Sequence, residues 1–268
     1  MTTVGIVSPG TMGSAVGAAL LRGGAHVVTT VAGRSDRTAR LAQAAQLELL
    51  PSLADVIAAG DVILSIVPPD QAETVAADVA AARLLVDLNA VSPVTARRIS
   101  DEADGSISGP PPWNLGTTRI YLSGPRASEV AALPFDGIEV VVVSEEVGAA
   151  SAVKMSTASV YKGSIALLTQ ALRAADHYGV VEHVLLDLGG LADDAGRRIS
   201  RSAAKADRYV GEMHEISAAQ ADAGLDTGLF KAMGEIWAEI ARTPLGAVAP
   251  EDADSDLRDV LQQLRPRG

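Results

Sequence analysis

A chain of 268 residues with 48% hydrophobic side chains can bury one large or two modest cores, which excludes an intrinsically disordered protein. A formal net charge of −11 and only 3% aromatic residues argue against a basic nucleic-acid surface, and the lack of cysteine excludes disulfides, thiolate catalysis and cysteine-ligated metals. No apolar run reaches membrane-spanning length and the first residues lack the positive n-region of a signal peptide, so a soluble, cytoplasmic protein is expected.

In chain order, a short apolar strand is predicted over residues 4–7. It runs into the turn Ser8-Pro9-Gly10-Thr11-Met12-Gly13, a small-residue helix to residue 21, and a second strand over 27–31 that ends at Gly33-Arg34-Ser35. Strand, glycine turn, helix and strand in this order form a dinucleotide-binding unit. In the usual fingerprint the first glycine makes the turn, the second admits the pyrophosphate and the third lets helix approach strand. Ser8 replaces the first, and Pro9, with its fixed φ, stiffens the turn. Gly10 and Gly13 keep the other two functions, and the helix N-terminus from Thr11 and Met12 offers free amides to an anion. Where an NAD site commonly carries an acid for the ribose 2′-hydroxyl, this chain has Arg34 and Ser35, followed by Asp36, Arg37 and Thr38. Guanidinium and hydroxyl groups suit a 2′-phosphate, so NADP(H) is the expected cofactor.

Further strands are predicted over 62–67, 84–88, 106–108, 119–122 and 139–143, with helices over 37–48 and 71–82. Val67 and Pro68 leave the third strand at the sheet edge where the nicotinamide end of a dinucleotide lies. Asn89 leaves the next strand in the segment Asp87-Leu88-Asn89-Ala90-Val91-Ser92-Pro93, and either cofactor binding or a turn role fits it. Beyond residue 148 the pattern turns helical: a long helix over 149–178, interrupted only by Gly163, then helices over 191–205, 208–223, 228–240 and 254–264, with a fraying tail over 265–268. The expected architecture is an α/β Rossmann domain over 1–146 followed by an all-α domain over 147–268, joined by the long helix.

The segments PGTMG, VAGRS, LSIVPP, DLNAVSP, DGSISGPPP, YLSGP, GAASAVKMS, DHYGV and RYVGEMHEI occur in that order between residue 4 and about residue 220. Together they resemble the β-hydroxyacid dehydrogenase and 6-phosphogluconate dehydrogenase-like superfamily, in particular its bacterial branch with a DUF1932-type C-terminal domain, related to imine reductases. The resemblance implies an interdomain cleft and a homodimer intertwined through the C-terminal helices. It also implies that Ser108 and Gly109 contact substrate and that Lys154 is the catalytic lysine. An ammonium there can exchange a proton with a hydroxyl or alkoxide while the nicotinamide exchanges hydride. Pro110 and Trp113 shape the substrate wall, with Ser151 and Thr157 as further substrate contacts. Family hydroxyacid enzymes usually carry an asparagine where this chain has Ala158.

Other polar residues attract blander readings. His177, beside Asp176 and Tyr178, suits a helix C-terminus, and Tyr161 and Tyr209 suit packing with the hydroxyl satisfied. Glu212, His214 and Glu215 do not share one helix face, so no metal site is expected; contact with substrate or the opposite subunit remains open to them, and Lys231 is a more distant candidate for anion binding. The expected activity is NADP-dependent hydride transfer on a small hydroxyacid, alcohol or carbonyl substrate. An imine reductase, or a noncatalytic NADP-sensing or scaffold protein, would share the same nucleotide turn.

Overall fold

The computed structural model describes residues 2–113 and 116–265, so the expected fraying at 266–268 lies outside the described residues. The chain divides into two compact units, Met1–Met155 and Ser156–Gly268. The first is an α/β layer structure with β1 (Thr3–Val7), α1 (Thr11–Arg22), β2 (His26–Thr29), α2 (Asp36–Ala44), β3 (Glu48–Leu49), α3 (Leu53–Ala59) and β4 (Val62–Ser65). There follow a single 3-10 turn at Pro69–Gln71, α4 (Ala72–Asp78), β5 (Leu85–Asp87), α5 (Pro93–Ile99), β6 (Asp104–Ser108), β7 (Thr118–Ser123), α6 (Ala127–Ala131), β8 (Ile138–Ser144) and the start of α7 (Ala149–His177).

The eight strands form one sheet in the order β3-β2-β1-β4-β5-β6-β7-β8, parallel throughout except for the antiparallel pair β6 and β7. The chain winds outward from β1 to β3 and then returns to place β4 on the other side of β1. Ligands of open α/β sheets bind beyond the strand ends at such a reversal, and here the turn after β1 and the exit of β4 emerge together. Strands buried on both faces need apolar residues in succession, and Val62, Ile63 and Leu64 of β4 are 7%, 0% and 0% exposed. One apolar layer gathers Ile6, Leu20, Leu64, Leu88 and Ile120, and the other gathers Val7, Val28, Val56, Ile63 and Val79.

The predicted helix over 37–48 is shorter. Gln46 adopts a left-handed φ of 58° that stops α2, Leu47 turns inward, and Glu48 and Leu49 pair with Val28 and Thr29 as an edge strand. The strand predicted over 106–108 begins two residues earlier, at Asp104.

In the second unit, α7 continues without interruption through Gly163 and is followed by α8 (Val181–Leu188), a 3-10 turn at Gly189–Ala192, α9 (Ala195–Ala203) and α10 (Ala206–Asp222). After α11 (Gly228–Ala241) and a 3-10 turn at Pro244–Ala247, α12 (Leu257–Gln263) completes it. Leu172, Ile199, Met213, Ile216, Trp237, Ile240 and Val260 are buried, with the Trp237 ring edge-on to Tyr209. No helix among the described residues is long and apolar enough to cross a membrane.

Candidate functional site

The turn after β1 is shaped for an anion. Ser8 takes the left-handed conformation, φ 67°, that a glycine would adopt at lower cost, and its carbonyl accepts from the Gly10 amide at 2.8 Å. The Ser14 hydroxyl donates to the Pro9 carbonyl at 2.7 Å and locks the turn onto α1. A Cβ on Gly13 would lie 2.4 Å from the Ser8 carbonyl oxygen, so only glycine allows helix and turn to meet. Gly10 differs: its φ of −71° suits any residue and a Cβ there would meet nothing within 4 Å. Neither backbone nor packing demands glycine at this position, and the space in front of the helix is open. The first turn of α1, with Thr11, Met12 and Gly13, has no side-chain cap and no acid, leaving its amides directed at that space. These features fit the pyrophosphate of a dinucleotide.

At the end of β2, Gly33 is left-handed at φ 70° and brings Arg34, Ser35 and Arg37 to the surface at the N-terminus of α2. The Ser35 hydroxyl caps α2 by accepting from the Thr38 amide at 3.3 Å. Exposed guanidinium groups beside a helix N-terminus are chemically suited to a phosphate.

Val67 and Pro68 leave β4 at the same sheet edge, and the Val67 amide donates to Asn89 Oδ1 at 2.7 Å. Asn89 is 4% exposed; its own amide donates to Asp87 Oδ2 at 3.1 Å and its Nδ2 to Asp87 Oδ1 at 2.5 Å. The Asn89 side chain thereby ties the exits of β4 and β5 together. Burial drives the Asp87 carboxyl up to about 7, and the charge of Asp104 adds to the rise.

Lys154 sits one turn into α7, half-buried, with Nζ donating to the Ile107 carbonyl at 2.7 Å. Ile107 immediately precedes Ser108, so the Lys154 ammonium is anchored one residue before Ser108 at the exit of β6. The loop beyond folds back tightly: Gly109 is left-handed at φ 113°, a Cβ there would lie 2.4 Å from the Thr117 carbonyl, and Thr118 Oγ1 donates to the Pro110 carbonyl at 2.6 Å. Trp113 stands 48% exposed at the end of this loop. Asp104 holds the start of α7. Its Oδ2 accepts from the amides of Gly148 and Ser151 at 3.1 and 3.0 Å and from Ser123 Oγ at 3.1 Å, and its Oδ1 accepts from Ser151 Oγ at 2.8 Å. Ser151 is fully buried and its hydroxyl donates to this carboxylate, which ties the first turn of α7 to β6.

Two family models match the chain. Residues 3–91 match "NADP oxidoreductase coenzyme F420-dependent" and residues 175–240 match "Domain of unknown function (DUF1932)". Among solved structures, the conserved protein MTH1747, whose structure is described as similar to 3-hydroxyacid dehydrogenases, is 29% identical, with a TM-score of 0.69 over 89% of this chain and 96% of its own. The N-terminal part of this chain is thus similar to NADP oxidoreductases and its C-terminal part to DUF1932 domains, and its Rossmann-type fold is shared with solved hydroxyacid dehydrogenases and imine reductases.

Other solved structures share this fold at lower identity. A 3-hydroxyisobutyrate dehydrogenase from Mycobacterium tuberculosis, solved with L-serine, is 20% identical, with a TM-score of 0.69 over 99% of this chain and 100% of its own. An imine reductase from Streptomyces aurantiacus is 22% identical, with a TM-score of 0.51 over the same shares. An uncharacterised 28.5 kDa protein from Methanothermus fervidus is 28% identical over 168 residues, a match that spans 60% of this chain and 66% of that relative.

The nucleotide-binding residues expected from the oxidoreductase's sequence thus gather at one sheet edge, and Lys154, Ser108, Gly109 and Pro110 gather at another point of the same unit. Thr157 and Ala158 lie further along α7, the first exposed and the second 5% exposed. Asp104 escaped sequence reasoning because a strand-opening aspartate gives no local cue that it caps a helix more than forty residues later. The group around Glu212 is an ion-pair cluster: Glu212 is 2% exposed, Lys162 pairs with it, and Arg208 reaches it at 3.0 Å. The Lys162 ammonium also stands over the Tyr209 ring at 4.6 Å.

Proposed function

We propose that this oxidoreductase transfers hydride between NADP(H) and a small hydroxyacid, alcohol or carbonyl compound, with Lys154 exchanging the proton. The observation that carries this reading is the Lys154 ammonium anchored at the exit of β6, directly before Ser108. The amides of Thr11, Met12 and Gly13 would hold the pyrophosphate, Arg34, Ser35 and Arg37 the 2′-phosphate, and Val67 and Pro68 would wall the nicotinamide side. Bound NADPH supplies the hydride. In reduction, Lys154 gives a proton to the oxygen on which negative charge develops; in oxidation it accepts that proton. Ser108 offers a hydroxyl to hold the substrate's polar group, Gly109 and Pro110 keep its loop rigid, and Trp113 presents an exposed ring to the apolar part.

Ala158, where hydroxyacid enzymes of this resemblance carry an asparagine, favours a second reading: reduction of an imine, whose less polar centre needs fewer positioning hydrogen bonds. A screen of NADPH oxidation against carbonyl, hydroxyacid and imine panels decides between the two. NADPH binding without turnover on every panel points to a noncatalytic sensor or scaffold instead.

A cytoplasmic homodimer belongs to the same proposal. Val160, Tyr161 and Leu167 on α7 are 68%, 75% and 67% exposed, and Leu186 on α8 is 84% exposed. Large apolar side chains in this density suit a second copy of the chain. Light scattering after size exclusion should give twice the chain mass, and a paired substitution of Tyr161 and Leu167 by aspartate should give the monomer.

A further inference from the structure

One row of the sheet is polar where its surroundings are apolar. Val7 on β1 pairs in register with Ser65 on β4, Ser65 with Asp87 on β5, Asp87 with Asp104 on β6, and Asp104 with Ser123 on β7. The two serines and two aspartates are each at most 1% exposed. Buried polar groups persist where their hydrogen bonds hold something in place. Asp87 holds Asn89, which holds the Val67 amide at the β4 exit. Asp104 and Ser123 hold α7: besides the contacts to Gly148 and Ser151, Ser123 Oγ accepts from the Ala150 amide at 2.9 Å, and Ser106 Oγ donates to the Ala150 carbonyl at 3.0 Å.

We propose that Asp104 is a positioning residue for Lys154: its carboxylate, acting through the first turn of α7, sets where the Lys154 ammonium stands at the exit of β6. The first turn of α7 contains no acid of its own, so Asp104 supplies both the acceptor for its amides and the negative charge that a helix N-terminus favours. Asp104 Oδ2 takes three donors and Oδ1 one, which leaves an asparagine at this position one acceptor oxygen short and with an amide facing donors. Ser151, bound to Asp104 twice, lies three residues before Lys154 on the same helical face. Any shift of the first turn therefore carries Lys154 away from the Ile107 carbonyl. Burial raises the Asp104 carboxyl, while the hydrogen bonds from Ser151, Ser123 and the Gly148 amide oppose that rise by favouring its charged form.

This inference rests on the proposed role of Lys154, and its test reads the lysine without requiring turnover. Competitive acylation by acetic anhydride, followed by mass spectrometry, reports the relative reactivity and titration midpoint of each lysine. Lys231, exposed on α11, is the internal control, and Asp87, Arg97, Glu145 and Glu146, charged groups near that turn, stay in place. D104N should raise Lys154 labelling at least threefold and lower its midpoint while Lys231 is unchanged. S151A, which removes one contact and keeps the charge, should give a smaller rise in rate. With a substrate from the screen, D104N should lower kcat while the KM for NADPH stays constant. Lys154 rate and midpoint equal to wild type in a folded D104N overturn the proposal; if D104N aggregates, an unchanged rate in S151A does so. Undiminished turnover of K154A would instead overturn the catalytic reading and leave the labelling result standing.

Discussion

Lys154 and Ile107 meet through one hydrogen bond, from the ammonium to the backbone carbonyl at 2.7 Å, although they are 47 residues apart. The contact fixes a helix side chain to the strand end where Ser108 leaves the sheet. It depends on α7 being docked correctly, which Asp104, Ser106 and Ser123 ensure from β6 and β7.

Gly10 and Gly13 should respond oppositely to alanine. In G13A the new methyl group meets the Ser8 carbonyl, and the unliganded protein should lose about 2 kcal/mol of stability. In G10A the methyl group enters open space, so the melting temperature without cofactor should stay within about 1 °C while NADPH affinity falls roughly tenfold or more. Thermal melts paired with NADPH fluorescence titrations read both effects. Unchanged NADPH affinity in G10A would mean that the open space does not take the pyrophosphate.

Arg34 should discriminate between the two nicotinamide cofactors. Loss of a charge-assisted phosphate contact costs about 2 kcal/mol, so R34A should weaken NADPH about 30-fold and leave NADH within about threefold. Isothermal titration with both nucleotides measures this directly. Tighter NADH than NADPH binding in wild type, unaffected by R34A, would remove the 2′-phosphate from this loop.

The Asp87 carboxyl should shape the pH dependence of stability. Its ordinary value is 3.8 and burial lifts it to about 7, so the unfolded chain ionises first. Its contribution to stability is then fully present below about pH 4 and is lost as pH rises through 7, at up to ~1.4 kcal/mol per pH unit. D87N removes that titration. Relative to wild type, the variant should gain roughly 2 kcal/mol or more between pH 4 and 8 in urea unfolding. Parallel curves for the two proteins across this range would show that Asp87 ionises normally.

Much of this was legible in the sequence because the relevant signals are local. The turn from Ser8 to Gly13 announces itself in six consecutive residues, and continuous apolar runs such as residues 62–64 mark buried parallel strands. Lys154 was legible only through resemblance, since a lone lysine on a helix carries no pattern of its own. What escaped was long-range and polar. Asp87 and Asp104 look like ordinary strand-end aspartates until the register puts them side by side, and Asn89 had to be seen bonded to Val67 before its positioning role emerged. Short helices such as α3, α5 and α6 were missed because five to seven residues give too little periodicity to count.

The most direct test of the account is the turnover of K154A on the best substrate from the NADPH oxidation screen. If the lysine exchanges the proton, the variant should lose at least about 100-fold in kcat/KM while its NADPH affinity stays within about threefold of wild type. Turnover equal to wild type, with NADPH still bound, would contradict the assignment of Lys154 as the proton-exchanging residue.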